Sequence, residues 1–169
     1  MDKKEALKIV QECGSDLVNL SDKFKKDKEI VLEAVKHDPY GVALEHADKK
    51  LRADKEVVLA ALKQHSSTFE YADKKLKADK EFILASVKQN GWVLEHVDDS
   101  LKKDKEIVLA AVKQDGGALQ YADDIFKKDK EIVLEGAKNR GEALEFADDS
   151  FKKDKEIVLE AVKAGGYAL

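Results

Sequence analysis

Asp104-Lys105-Glu106-Ile107-Val108-Leu109-Ala110-Ala111-Val112-Lys113, followed closely by Gly116-Gly117-Ala118-Leu119-Gln120-Tyr121-Ala122-Asp123, is the stretch on which the fold turns. It returns, with substitutions, along the whole chain. Asp-Lys-Glu begins at Asp27, Asp54, Asp79, Asp104, Asp129 and Asp154, in steps of 27, 25, 25, 25 and 25 residues. Counting back 25 from Asp27 reaches Asp2, which opens Asp-Lys-Lys. The repeats are therefore 2–26, 27–53, 54–78, 79–103, 104–128 and 129–153, with a partial one at 154–169. Self-similarity at a fixed period of this size is the signature of stacked supersecondary units.

The columns of the repeat predict its elements. The first half reads as a helix, here called helix A, over about Asp27 to Lys36 in repeat two. Asp27 is placed as its N-cap, with a carboxylate able to accept from a free first-turn N–H. Glu29 suits the positive end of the helix dipole and Lys36 the negative end. Gly91, Gly116 and Gly141 follow the helix, where glycine is favoured because it takes φ > 0 without a Cβ clash. Helix A is apolar on most sides (Ile30, Val31, Leu32, Ala34, Val35) and polar only along Glu29, Glu33 and Lys36. Such a helix must be covered on several sides, which copies above and below would do. A shorter helix B is expected over about Val42 to Ala47, with an extra turn to Leu51, and a tight or 3₁₀-like turn over Asp98 to Asp104.

Three apolar columns run through the repeats. One is leucine throughout: Leu7, Leu32, Leu59, Leu84, Leu109, Leu134 and Leu159. The second reads Leu17, Leu44, Phe69, Leu94, Leu119, Leu144 and Leu169, and the third Phe24, Leu51, Leu76, Leu101, Phe126 and Phe151. These columns suit a stack in which each position has the same environment in every repeat. The fold class they predict is all-α: an α-solenoid of tandem ~25-residue helix-turn-helix repeats. Repeat one departs from the pattern at Asn19, Leu20 and Ser21, as a polar terminal cap would. At the other end Val158, Leu159, Val162 and Leu169 have no following repeat. That predicts either a longer array or self-association through an uncapped C-terminal face.

Composition narrows the function classes. Charged residues make up 39% of the 169 residues, with 31 basic against 35 acidic side chains interleaved along the chain. A general nucleic-acid binder would show a net basic stripe. Cys13 is the only cysteine, so an intrachain disulfide is impossible, which fits a reducing compartment. No apolar run approaches the ~18 residues of a membrane span, and Met1 to Glu5 lacks the apolar core of a secretory signal. Asn19-Leu20-Ser21 matches a glycosylation sequon and reads as chance.

Asp-Lys-Glu-Ile-Val-Leu-x-Ala-Val-Lys with Gly-x-x-Leu-x-x-Ala-Asp resembles the short helical repeats of the domain of unknown function 4116 family, over nearly the whole chain and least in repeat one. The resemblance implies an array found in bacterial proteins, pathogen effectors among them, and in unicellular eukaryotes and large viruses. It brings no catalytic or binding residues. With the single cysteine and no secretory signal the expected location is the cytoplasm, or a host cytosol if the parent is a secreted effector. A consensus-designed repeat protein with no natural function would also give copies this alike, though His65-Ser66-Ser67 and the two-residue insertion near Pro39 break the uniformity.

The candidate binding surface is a column of aromatics and histidine: His46, Tyr71, His96, Tyr121 and Phe146. Ladders of this kind hold extended peptides or stack bases, but Tyr and His also suit packing between repeats with the polar tip in water. Trp92 lies in a variable column with Ser15, Val42, Ser67, Gly117, Glu142 and Tyr167, and reads either as an anchor for a partner or as a ring folded onto its own loop. Ala60, Ala85 and Ala110 replace the glutamates of Glu33, Glu135 and Glu160, leaving a less charged face mid-array. Gly136 sits inside helix A, where it costs about 1 kcal/mol unless another helix approaches closely. The pairs Lys25-Lys26, Lys102-Lys103, Lys127-Lys128 and Lys152-Lys153 read as phosphate contacts or, more simply, as partners of the Asp-Asp pairs in neighbouring repeats. His46 and His96 are two repeats apart and do not share a metal, so no metal and no cofactor is expected. A phosphate loop, a nucleophile elbow and His-Glu-x-x-His are all missing. The expected role is a non-catalytic scaffold or protein-protein interaction module, with a protein partner. The competing reading is a nucleic-acid-binding solenoid using the lysine pairs and the aromatic column.

Overall fold

The structure, a computed structural model, describes residues 1–165. Tyr167 and Leu169, both members of columns above, lie outside the described residues. The described residues are helices and turns with no strand, and they form two compact units, Met1–Phe82 and Ile83–Leu169. Within each unit the fold is a tandem stack of helix-turn-helix repeats, the organisation of an α-solenoid.

In the N-terminal unit, helix A is Lys3–Glu12, Lys28–Lys36 and Lys55–Leu62 in repeats one to three. Helix B is Gly14–Asn19, Ala43–His46 and Ser66–Tyr71. A third piece, a single α-turn here called turn C, follows at Asp22–Lys25, Lys49–Arg52 and Lys74–Lys77. The helix Lys80–Gln89 carries the chain into the C-terminal unit. There helix A is Lys105–Gln114, Lys130–Asn139 and Lys155–Lys163, and helix B is Gly91–His96, Gly116–Tyr121 and Gly141–Phe146. Turn C is Asp124–Lys127 and Phe151–Lys153, and residues 98–103 form the expected tight turn.

Helix B differs from expectation. Except in repeat two it is a six-residue 3₁₀-helix. It does not continue to the Leu51 position, because the next residue (Ala47, Ala72, Ala122, Ala147) is extended and buried. The chain then restarts as turn C, capped at Asp48, Asp73 and Asp123 by a carboxylate accepting a backbone N–H. Among the described repeats, repeat two alone has an α-helical B. Its insertion is held by the buried Asp38, which accepts from Tyr40 N at 3.1 Å and Ala43 N at 2.6 Å, and its turn uses Gly41 at φ 73°.

Helix A packs as its composition requires. Lys28–Lys36 touches helix A of repeats one and three, its own helix B and that of repeat one. It buries Ile30, Val31, Ala34 and Val35; Lys105–Gln114 likewise buries Ile107, Val108, Ala111 and Val112. The Leu17 column is core as expected, with Leu17, Leu44, Phe69, Leu94, Leu119 and Leu144 at most 1% exposed; in the Phe24 column Phe24, Leu51, Leu76 and Phe126 are buried, but Leu101 and Phe151 are only half-buried. The all-leucine column is not. Leu32, Leu59, Leu109 and Leu134 are half-buried, on the flank of helix A beside the fully covered positions. Leu159 and Val162 are 55% and 54% exposed, and Val158 is half-buried.

The glycines after helix A also differ from expectation. The residues that end the helices, Cys13, Asp115 and Arg140, are extended, and among the described residues only Gly41 and Gly165 take positive φ. Close approach is what demands glycine. A Cβ on Gly91 would sit 2.6 Å from the Ala111 carbonyl oxygen. One on Gly14 or Gly116 would run into the carbonyl oxygen of Ala34 or Gly136, in helix A of the next repeat. Gly136 is thus at a close helix approach, with a Cβ there 3.1 Å from Val112 Cγ1.

Two polar ladders join repeats within each unit. Asp48 N donates to Lys25 O, Asp73 N to Arg52 O and Asp148 N to Lys127 O, each at 2.9 Å. The second ladder uses the Asp-Lys-Glu string. Each lysine reaches the N-cap aspartate of the next repeat: Lys3 to Asp27 at 2.7 Å, Lys28 to Asp54 at 2.7 Å, Lys105 to Asp129 at 2.8 Å and Lys130 to Asp154 at 2.9 Å. The same lysines also meet Glu29, Glu56, Glu131 and Glu156. The aspartates cap as predicted, Asp27 accepting from Glu29 N and Ile30 N.

This ladder sets a pH dependence. The neighbouring lysine, with first-turn N–H donors adding to it, holds the carboxyls of Asp27, Asp79, Asp129 and Asp154 below the usual range. A carboxyl depressed in the folded state stabilises fully above its unfolded pKa of about 4, and that stability is lost as pH falls through the folded value. The melting temperature followed by circular dichroism should hold steady near neutrality and fall below about pH 4. Asp129→Asn keeps a cap and should flatten part of that fall; an unchanged acid profile would count against the ladder.

Candidate functional site

The predicted site residues sit at the C-terminal ends of helix B, because the 3₁₀ turn projects its last side chain beside the buried extended residue that follows. His46, Tyr71, His96, Tyr121 and Phe146 all occupy this place and all are half-buried. Trp92 is the second residue of its helix B.

Much of this column stitches repeats together. Burial first, and the nearby carboxylate of the preceding repeat next (Glu45 for Tyr71, Glu95 for Tyr121), push both phenols up. Trp92 Nε1 donates to Asp115 Oδ2 at 2.8 Å, and its ring meets Tyr121 edge-on at 5.7 Å. Asp115 also accepts from Gly117 N at 2.8 Å. Trp92 is therefore tied into the next repeat, and not folded onto its own loop.

The lysine pairs are mostly engaged within their own repeats, against the expectation of neighbouring ones. Lys102 pairs with Asp99 at 3.3 Å, Lys127 with Asp124 at 2.9 Å and Lys152 with Asp149 at 2.8 Å, all at i,i+3. Lys103 reaches the next repeat, at 3.8 Å from Asp123. Lys25 Nζ donates instead to Val18 O at 2.8 Å.

Stacking places the lysine pairs and the aromatic column together, which the sequence alone did not. A shallow groove recurs between turn C of one repeat and the end of helix B of the next. Between repeats one and two it is lined by Lys25, Lys26, His46 and Asp48, with about 270 Å³ of space. Between repeats two and three it holds about 450 Å³ among Lys49, Arg52, Tyr71, Asp73, Lys74 and Lys77. Between repeats four and five, Lys102, Lys103, Tyr121 and Asp123 line another of about 450 Å³. The signal for this was in the columns: every groove takes the same turn-C positions and the same helix-B position, one repeat on.

Among the described residues, no group of three His, Cys, Asp or Glu side chains is arranged to hold a metal ion, and no helix is long and apolar enough to cross a membrane. A family model described as Domain of unknown function (DUF4116) matches residues 2–52, 40–77, 79–127 and 129–169. No curated protein and no solved structure matches the chain.

Proposed function

The chain belongs to the family described as domain of unknown function (DUF4116), and from that premise we propose that it is a non-catalytic scaffold that binds an extended segment of a protein partner along its grooves. The observation that carries this reading is the recurrence of one groove, with an imidazole or phenol at its edge, twice in the N-terminal unit and once in the C-terminal unit. An extended chain meets equivalent sites at regular intervals, and a half-buried Tyr offers a rigid apolar face at low entropic cost. The grooves are open and of mixed charge, which suits a peptide better than a small substrate enclosed on most sides. The repeated carboxylates of Asp27, Asp104 and Asp129 serve as helix caps, and Asp54 and Asp129 pair with lysines of the preceding repeat, which supports a structural role for them. The lone thiol Cys13 accords with a cytoplasmic setting.

A phosphate backbone would need a continuous basic track. The groove between repeats four and five carries Asp99, Asp123 and Asp124 beside Lys102 and Lys103, two of whose contacts are with those carboxylates. That disfavours the nucleic-acid reading.

Selection of a displayed random-peptide library on the immobilised chain tests the proposal. Enriched peptides should lose about fivefold or more in affinity to Tyr71→Ala or Tyr121→Ala, each with an unaltered helical spectrum. Peptides indifferent to both variants, or no enrichment beside single-stranded RNA binding at low salt, would refute it.

A further inference from the structure

The groove between repeats two and three departs from the others in a way that selects a ligand. In repeats four to six, the segment after helix B carries an aspartate three residues before a lysine, and the two pair: Asp99 with Lys102, Asp124 with Lys127, Asp149 with Lys152. At the same positions repeats two and three carry Lys49 before Arg52 and Lys74 before Lys77. An attractive i,i+3 pair has become a repulsive one, twice, and all four cations line one groove.

These cations are largely uncommitted. Lys77 Nζ donates to Glu70 O at 2.7 Å. Lys49, Arg52 and Lys74 make no side-chain ion pair among the described residues. Arg52 Nε is buried and has no hydrogen-bond acceptor. A buried donor left without a partner is unfavourable, so the Arg52 guanidinium is not committed to any acceptor of its own chain at that atom. Arg52 is also the only arginine in a column otherwise made of Lys25, Lys77, Lys102, Lys127 and Lys152. Guanidinium is the group that holds a planar carboxylate by paired N–H donors. Against four cations the lining sets Glu70 and Asp73. Asp73 already accepts from Lys75 N at 3.0 Å.

We propose that this groove is an acidic-peptide site, in which carboxylates of an extended Asp- or Glu-rich segment lie against Arg52, Lys49 and Lys74. The Tyr71 ring borders the groove and would meet the aliphatic part of the segment. The inference rests on the peptide-binding reading above and names the chemistry of the partner at one of its grooves.

The test is fluorescence anisotropy with a short labelled peptide of alternating Glu and Gly, its Gln counterpart, and oligouridine, at low salt. The Glu peptide should bind at least about tenfold more tightly than the Gln peptide. Arg52→Gln and, separately, Lys49→Ala with Lys74→Ala should each cost about tenfold, while Lys127→Ala in the C-terminal unit costs nothing. Lys49 and Lys74 are surface lysines, so their removal leaves the fold intact even where Arg52→Gln disturbs it. Equal affinity for the Glu and Gln peptides, or equal losses from the Lys127 control, would overturn the proposal. Oligouridine binding more tightly than the Glu peptide, through the same residues, would overturn it in favour of a phosphate backbone. A neutral display-selected peptide that depends on Tyr71 would leave the scaffold reading standing while this one fails.

Discussion

Gly116→Ala should destabilise the chain by about 3 kcal/mol, while Gly117→Ala next to it should cost less than about 1 kcal/mol. The two glycines open the same helix B and share one conformational class, since neither takes positive φ. They differ in what a methyl group would meet. At Gly116 it meets the Gly136 carbonyl oxygen, with Gly136 C and Arg140 Cβ also at 3.1 Å. That carbonyl belongs to a packed helix and accepts from Arg140 N at 2.8 Å, so it has nowhere to move. At Gly117 the nearest atoms are Asp115 Oδ1 at 3.1 Å and Trp92 Cζ2 at 3.3 Å, both side-chain atoms that give way. The Gly117 column also carries Trp92 and Glu142 in other repeats. Gly14→Ala should behave like Gly116→Ala, because it collides with the Ala34 carbonyl while its N–H donates to His37 O at 2.8 Å. Urea unfolding followed at 222 nm reads all three. Equal small losses at Gly116 and Gly117 would mean that the repeats do not approach each other this closely.

Leu119→Ala should cost about 3–4 kcal/mol and Leu109→Ala about 1 kcal/mol. Leu119 is fully buried in the second half of helix B and leaves a cavity between layers that a rigid stack cannot close. Leu109 is half-buried on helix A, so truncation removes less covered area and the site relaxes into solvent. The order is the informative part. Leucine is unbroken in the Leu109 column and varies to phenylalanine in the Leu119 column, so uniformity alone would rank them the other way. Losses in that reversed order would mean that the leucine column, and not its neighbours, forms the core.

The repeat register, the aspartate caps and the Leu17 column could be read from residues because each rests on local chemistry or on strict periodicity. The position of Leu32 could not. Helix A is apolar on most of its circumference, and periodicity cannot say which apolar side faces a neighbour and which only borders it. Glycine just past a helix has two physical causes, left-handed backbone and close approach, and the sequence signal is the same for both. Helix B as a 3₁₀ turn was beyond reach, since six residues with one buried leucine fit either helix. The Lys28–Asp54 contact joins residues 26 apart, and only the stacking brings them together. The grooves depend on the same stacking. The charge reversal at Lys49 and Lys74 stood in the alignment of the repeats all along, but acquired meaning only once Arg52 and Tyr71 were found in the same groove.

Direct detection of hydrogen bonds between repeats tests the stack most plainly. Couplings across hydrogen bonds, measured by NMR between an amide nitrogen and its acceptor carbonyl carbon, should link Gly14 to His37, Asp48 to Lys25 and Asp73 to Arg52 in the N-terminal unit, and Asp148 to Lys127 in the C-terminal unit. All four distances lie at 2.8–2.9 Å, short enough for such couplings to be seen. Those amides coupled instead to carbonyls within their own repeats, or exchanging freely with solvent, would contradict the layered arrangement on which the grooves depend.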